Sequence, residues 1–128
     1  MNNEQLNELG KQILDASIEV HKQLGAGLLE SVYELCLYKE LCDRNISVQR
    51  QVYLPITYKN EILDANYRID LLIAEEIIIE LKAVDILLPV HEAQIITYLK
   101  LADKRLGFLI NFNVPRLVEG FKRKVNNF

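Results

Sequence analysis

Asp70, Glu80, Lys82, Gln94 and Tyr98 are residue types that can do hydrolytic chemistry, and their spacing lets them meet. Glu80 and Lys82 interrupt an otherwise apolar run, Ile77 to Ala83. A spacing of two puts both side chains on one face of a strand. Asp70 lies within a second strand-like run, Tyr67 to Ile73, joined to the first by a short turn at Ala74-Glu75-Glu76. Strands joined this way are expected to pair antiparallel, which lets Asp70 and Glu80 converge. Two close carboxylates repel each other, and a buried charge is costly unless compensated. A divalent cation is the simplest compensation, and hard oxygen ligands favour Mg²⁺ or Mn²⁺ with water in the remaining positions. Lys82 would then position a water or steady charge developing on a phosphate. The alternative is an internal Asp–Lys–Glu ion cluster without chemistry.

His91, Gln94 and Tyr98 follow at steps of three and four, so they share one helix face. A polar stripe facing a sheet needs partners. Gln94 can orient a water, a phosphate or Lys82, and Tyr98 can donate to a phosphate oxygen; Tyr98 is equally well read as a core aromatic. His91 reads as a satisfied interface histidine rather than a ligand. Glu30 and Tyr33 share a face of an earlier helix. Glu30 falls in its first turn, where the helix dipole alone favours a carboxylate. The role of His21 is open.

These residues need a frame. Leu6, Leu9, Ile13, Ala16, Val20 and Leu24 recur at helical spacing, and Gly25-Ala26-Gly27 ends the helix. A second helix is expected from near Leu28 to about Arg44. The period then changes to two: Val48, Val52, Leu54, Ile56 and Tyr58 are expected on one face of a strand, with Gln49, Gln51, Tyr53 and Thr57 on the other. Pro55 assigns that strand to a sheet edge. Strands follow from Ile62 to Ile73 and from Ile77 to Ala83, the latter apolar on both faces and therefore central. Pro89 suits the first turn of a helix running from about Val90 to Ala102, and Leu106 to Phe112 closes a βαβ unit with parallel strands. The tail from Arg116 to Phe128 fits either a strand or a short helix. The expected fold is mixed α+β in the order α-α-β-β-β-α-β, with a four- or five-stranded mixed sheet flanked by helices.

Composition bounds the rest. A chain of 128 residues, half of them apolar, is expected to form a single domain, residues 1–128. Its net charge of -3 excludes a broadly cationic surface, though Arg116 and Lys122-Arg123-Lys124 make a local basic stretch, which also reads as a solvated terminal face. No apolar run is long enough to span a membrane, and the first residues lack the pattern of a signal peptide. A cytoplasmic location is expected. Cys36 and Cys42 lie six apart on one helix, which excludes a bridge between them and reads as two reduced core thiols. There is no dinucleotide fingerprint, P-loop, zinc-protease helix or nucleophile elbow.

Asp70, Glu80-Leu81-Lys82 and Gln94-xxx-Tyr98 together resemble the PD-(D/E)XK nuclease superfamily, and the element order is similar to its restriction-endonuclease-like core. A narrower resemblance, to the GxxExxY family, rests on His21 to Gly25, Gly27 to Tyr33, His91 to Gln94, Tyr98 to Lys100 and Leu109 to Phe112. Ile69 stands where the namesake motif has proline. The resemblance implies that Asp70, Glu80, the Leu81 carbonyl and Glu30 bind metal. It also implies that Lys82 is the catalytic lysine and that Gln94 and Tyr98 support the site. The expected function is a Mg²⁺- or Mn²⁺-dependent nuclease on DNA or RNA, alone or as a homodimer or with a partner protein. The alternative is a non-catalytic nucleic-acid- or protein-binding module that keeps the fold.

Overall fold

The computed structural model describes residues 1–128. Helices α1 (Asn3–Leu24) and α2 (Glu30–Asp43) precede strands β1 (Val48–Tyr58), β2 (Glu61–Ile73) and β3 (Ile77–Lys82). Helix α3 (Pro89–Ala102), β4 (Leu106–Asn111), a 3-10 turn (Leu117–Gly120) and β5 (Phe121–Val125) complete the chain. The five strands lie in sequence order, with β3 and β4 parallel and every other pair antiparallel. Pro55 does lie in an edge strand, β3 is central, and the tail contains both a short helix and a strand.

Strand alternation divides the core into two layers. Leu71, Ile73, Ile77, Ile79 and Leu81 pack with α1 and α2, while Ile69, Leu72, Ile78 and Leu109 pack with Ile95, Tyr98 and Leu99 of α3. Ile69 and Leu71 are two residues apart yet face opposite layers, so the alternation of β2 skips at Asp70. The partner strand skips at the same level. Gln51, between the pairs Arg50↔Leu71 and Val52↔Ile69, has a left-handed backbone with φ 52°. Val48 therefore packs against the α1–α2 layer and Val52 and Leu54 against the α3 layer, correcting the expectation that they share one face.

Both hairpin turns have positive φ at their two central residues, Lys59-Asn60 and Ala74-Glu75, as type I′ turns require. The first caps a projecting arm, in which every residue from 57 to 68 is exposed. Opposite Pro55 the register shifts, so that Asp64, Ala65 and Asn66 bulge from β2 where proline offers no N–H. Cys36 and Cys42 are free, as expected, but half-buried and exposed respectively rather than core thiols. No helix is long and apolar enough to cross a membrane.

Candidate active site

The β2–β3 ladder ends at Leu71↔Ile79, and Asp70 and Glu80 occupy the next opposed positions. There side chains replace backbone pairing. The Asp70 N–H donates to Glu80 Oε1 at 3.3 Å, and the Leu81 N–H donates to Asp70 Oδ2 at 2.8 Å. The Leu81 carbonyl leaves the strand on the same side as its N–H, toward Asp70, whereas the next carbonyl, of Lys82, accepts from Phe112 on the β4 side. Glu80 and Lys82 continue the α3-facing register of Ile78.

Glu80 is only 5% exposed. Burial is the main cause that pushes its pKa up to about 9, and the Asp70 charge adds to it; Lys82 opposes the shift. Lys82 does not neutralise the carboxylates by contact, because none of the chain's ion pairs involves Asp70, Glu80 or Lys82. This is not the closed internal ion cluster weighed above. A buried carboxylate facing a second one, with a backbone carbonyl on the same side and no paired cation, fits a hard divalent ion.

Glu30, the first residue of α2, faces this group from the other layer. Partial burial of its carboxyl is the main cause that raises its pKa; the Lys82 charge opposes the shift, and Asp70 and Glu34 add to it. Glu30 does not close a three-carboxylate cage, since no three His, Cys, Asp or Glu side chains stand close enough to hold an ion by themselves. Tyr33 sets where α2 begins. Its hydroxyl donates to the Gly25 carbonyl at 2.6 Å and accepts from the Leu28 N–H at 3.2 Å, while its ring stacks on Phe112 at 4.5 Å. Gly25 and Gly27 take positive φ in that loop. His21 binds the Val114 carbonyl at 2.9 Å, and buried Asn111 clamps Val84 through both its amide atoms. These motif residues hold the ends of α2, β3 and β4 in register.

On α3, Gln94 Nε2 donates to the Tyr98 hydroxyl at 2.9 Å. Burial raises the Tyr98 pKa and the Gln94 hydrogen bond opposes it, with the charges of Glu80 and Asp70 adding to the rise; Tyr98 is thus held as a protonated donor beside both carboxylates. His91 Nδ1 accepts from the Leu88 N–H at the start of α3, in agreement with a structural histidine.

Glu34 and Gln51 are two neighbours that the sequence reasoning missed. Gln51 Nε2 donates to Glu34 Oε1 at 2.6 Å and, at 3.4 Å, to Asp70 Oδ1. Arg50 reaches the other oxygen of Glu34 at 3.3 Å. The only sequence signal was polarity on the β1 face, because the left-handed turn that aims Gln51 at Asp70 has no residue-type signature. The local basic stretch of the tail is partly engaged: Lys124 pairs with Glu92 at 2.6 Å, and Arg123 contacts Asn7 and the Phe128 ring.

No curated protein and no solved structure matches the chain. A family model of the PD-(D/E)XK nuclease superfamily matches residues 7–124, which include every site residue named above. A match over nearly the whole chain, on a mixed five-stranded sheet that sets Asp70, Glu80 and Lys82 at one strand end, assigns the chain to the PD-(D/E)XK nuclease superfamily.

Proposed function

We propose that residues 1–128 form one nuclease domain that hydrolyses phosphodiesters of DNA or RNA with Mg²⁺ or Mn²⁺, and that it is a GxxExxY-type member acting in the cytoplasm. The observation that carries this reading is the opposed pair Asp70 and Glu80 at the open end of the β2–β3 ladder, with Lys82 unpaired on the Glu80 face. Asp70, Glu80 and the Leu81 carbonyl would hold the ion, with Glu30 adding negative charge from α2. A bound divalent ion supplies Lewis acidity to a phosphate oxygen and lowers the pKa of an attacking water. The Lys82 ammonium donates toward the reacting phosphate and offsets its growing negative charge. Tyr98, oriented by Gln94, donates its hydroxyl proton as a hydrogen bond to a phosphate oxygen. Gln51, seated on Glu34, keeps the Asp70 carboxylate turned toward Glu80.

The test is cleavage of single- and double-stranded DNA and RNA by the purified chain with Mn²⁺ and Mg²⁺. Lys82→Ala is expected to lose about 100-fold or more in rate, and Glu80→Ala to lose cleavage entirely. Full activity in Glu80→Ala overturns the reading. A folded wild type that binds nucleic acid but cleaves none of these substrates identifies the non-catalytic module instead.

A further inference from the structure

Beside the carboxylates, a groove of about 780 Å³ runs between α3 and the exposed β1–β2 arm. Tyr67 on the arm meets Tyr98 edge to face, with centroids 5.8 Å apart, and Ile56, Ala93 and Thr97 line the walls. No Asp, Glu, Lys or Arg lines it. The groove is continuous with the proposed active site, since Gln94 and Tyr98 belong to both. Tyr67 is 45% exposed, and nothing in the chain covers it.

We propose that this groove takes an unpaired nucleobase, so that the substrate is a single strand or a single-stranded segment; the inference rests on the nuclease reading for the phosphate placed beside it. Three features select this occupant. A mostly apolar slot with aromatic side chains (Tyr67, Tyr98) and a few polar ones (His91, Gln94, Thr97), and no Lys or Arg, suits a base, which offers a π-face and hydrogen-bonding edges, better than a phosphate. Cations lie outside it on the same arm: Arg68 next to Tyr67 and stacked on Tyr53 at 4.9 Å, and Lys59 over Tyr58 at 5.5 Å. The projecting arm carries Lys59 and Arg68 against Glu61 and Asp64, a neutral balance in a chain of net charge -3. A continuous duplex keeps its bases stacked inside and would present only backbone to this uncharged wall.

The test reads binding on the full-length Lys82→Ala chain in Mn²⁺, so that cleavage does not consume the probe. A short single strand carrying one fluorescent adenine analogue is compared with its duplex and with an abasic strand. The expected result is quenching on binding, with the single strand held at least tenfold tighter than either competitor. Tyr67→Ala is expected to weaken it roughly 5- to 160-fold, the range set by losing one base–aromatic stack. Thr97→Trp, at an exposed position of the groove, should do the same by filling it. Equal affinity for the abasic strand or the duplex, or an unaffected Tyr67→Ala, overturns the inference. So does a wild-type dimer in sedimentation that Tyr67→Ala splits, which would give the groove to a second copy. Quenching of the expected pattern with no wild-type cleavage keeps the base site and rejects the catalysis. Cleavage without base-dependent binding does the reverse.

Discussion

Glu80 is a carboxylate placed where ionisation is costly, and this has two measurable consequences. In the metal-free chain it keeps a proton that the unfolded chain gives up above the ordinary value of 4.5, until the pH approaches about 9. The stability gained from holding that proton is complete below pH 4.5 and is lost as the pH rises toward 9. Thermal denaturation in EDTA is therefore expected to show falling stability across that interval, a fall that Glu80→Gln flattens. At pH 8 the same variant should be more stable than wild type without metal, by about 1–3 kcal/mol, yet gain nothing from added Mn²⁺. A wild type whose melting temperature is flat with pH in EDTA, or a Glu80→Gln chain still stabilised by Mn²⁺, would contradict the placement. Gln51 admits a sharper separation of roles. Its backbone is left-handed, a conformation glycine adopts without strain, so Gln51→Gly should stay within about 1 kcal/mol of wild-type stability. The lost amide no longer braces Asp70, and Mn²⁺ affinity in calorimetry should fall about tenfold. Equal affinity in the two chains would show that Gln51 only shapes the strand.

At the scale of elements, the question is what fixes the ends of β2, β3 and α2 around the site. Tyr33 contributes through its hydroxyl, which satisfies both sides of the α1–α2 loop. Tyr33→Phe leaves those backbone groups without their partner and should cost about 1–3 kcal/mol by urea denaturation. It should also slow cleavage, because Glu30 begins the helix that the loop aims. Unchanged kinetics with lowered stability would confine Tyr33 to folding. The elements themselves were legible from the sequence because each announces itself locally: the helical spacing of α1, the doubly apolar β3, the proline opening α3 and the proline marking the edge strand β1. Asp70, Glu80 and Lys82 were legible because charged residues interrupt apolar runs at definable positions. The change of face within β1 was not, since it depends on a left-handed Gln51, a residue type that does not signal a turn. Glu34 was hidden for a related reason. It is buried on α2 and its partners, Arg50 and Gln51, come from β1, so the grouping exists only after the layers pack.

Over the whole molecule the charge is set against the proposed substrate. A chain of net charge -3 cannot attract a polyanion through its mean field, so cations must act locally and in small number. Their number can be read from the structure. Arg50 is paired with Glu34 and Lys124 with Glu92, while Arg123 is held by Asn7 and Phe128. On the arm and beside the carboxylates this leaves Lys59, Arg68 and Lys82. Each phosphate neutralised on a single strand releases counterions and steepens the fall of affinity with salt. Three such contacts predict a slope of log K against log salt near about -2. A surface that recruited the whole basic tail would give a slope of about -4 or steeper. The measurement is fluorescence anisotropy of a labelled single strand across a salt series at fixed Mn²⁺. Lys59→Ala and Arg68→Ala should each make the slope shallower by a little under one unit, while Lys124→Ala leaves it unchanged. A steep wild-type slope that Lys124→Ala reduces would move the nucleic acid to the β5 edge, away from the groove. A shallow slope with strong residual affinity at high salt is what an uncharged aromatic groove predicts, because stacking, unlike phosphate neutralisation, releases no counterions.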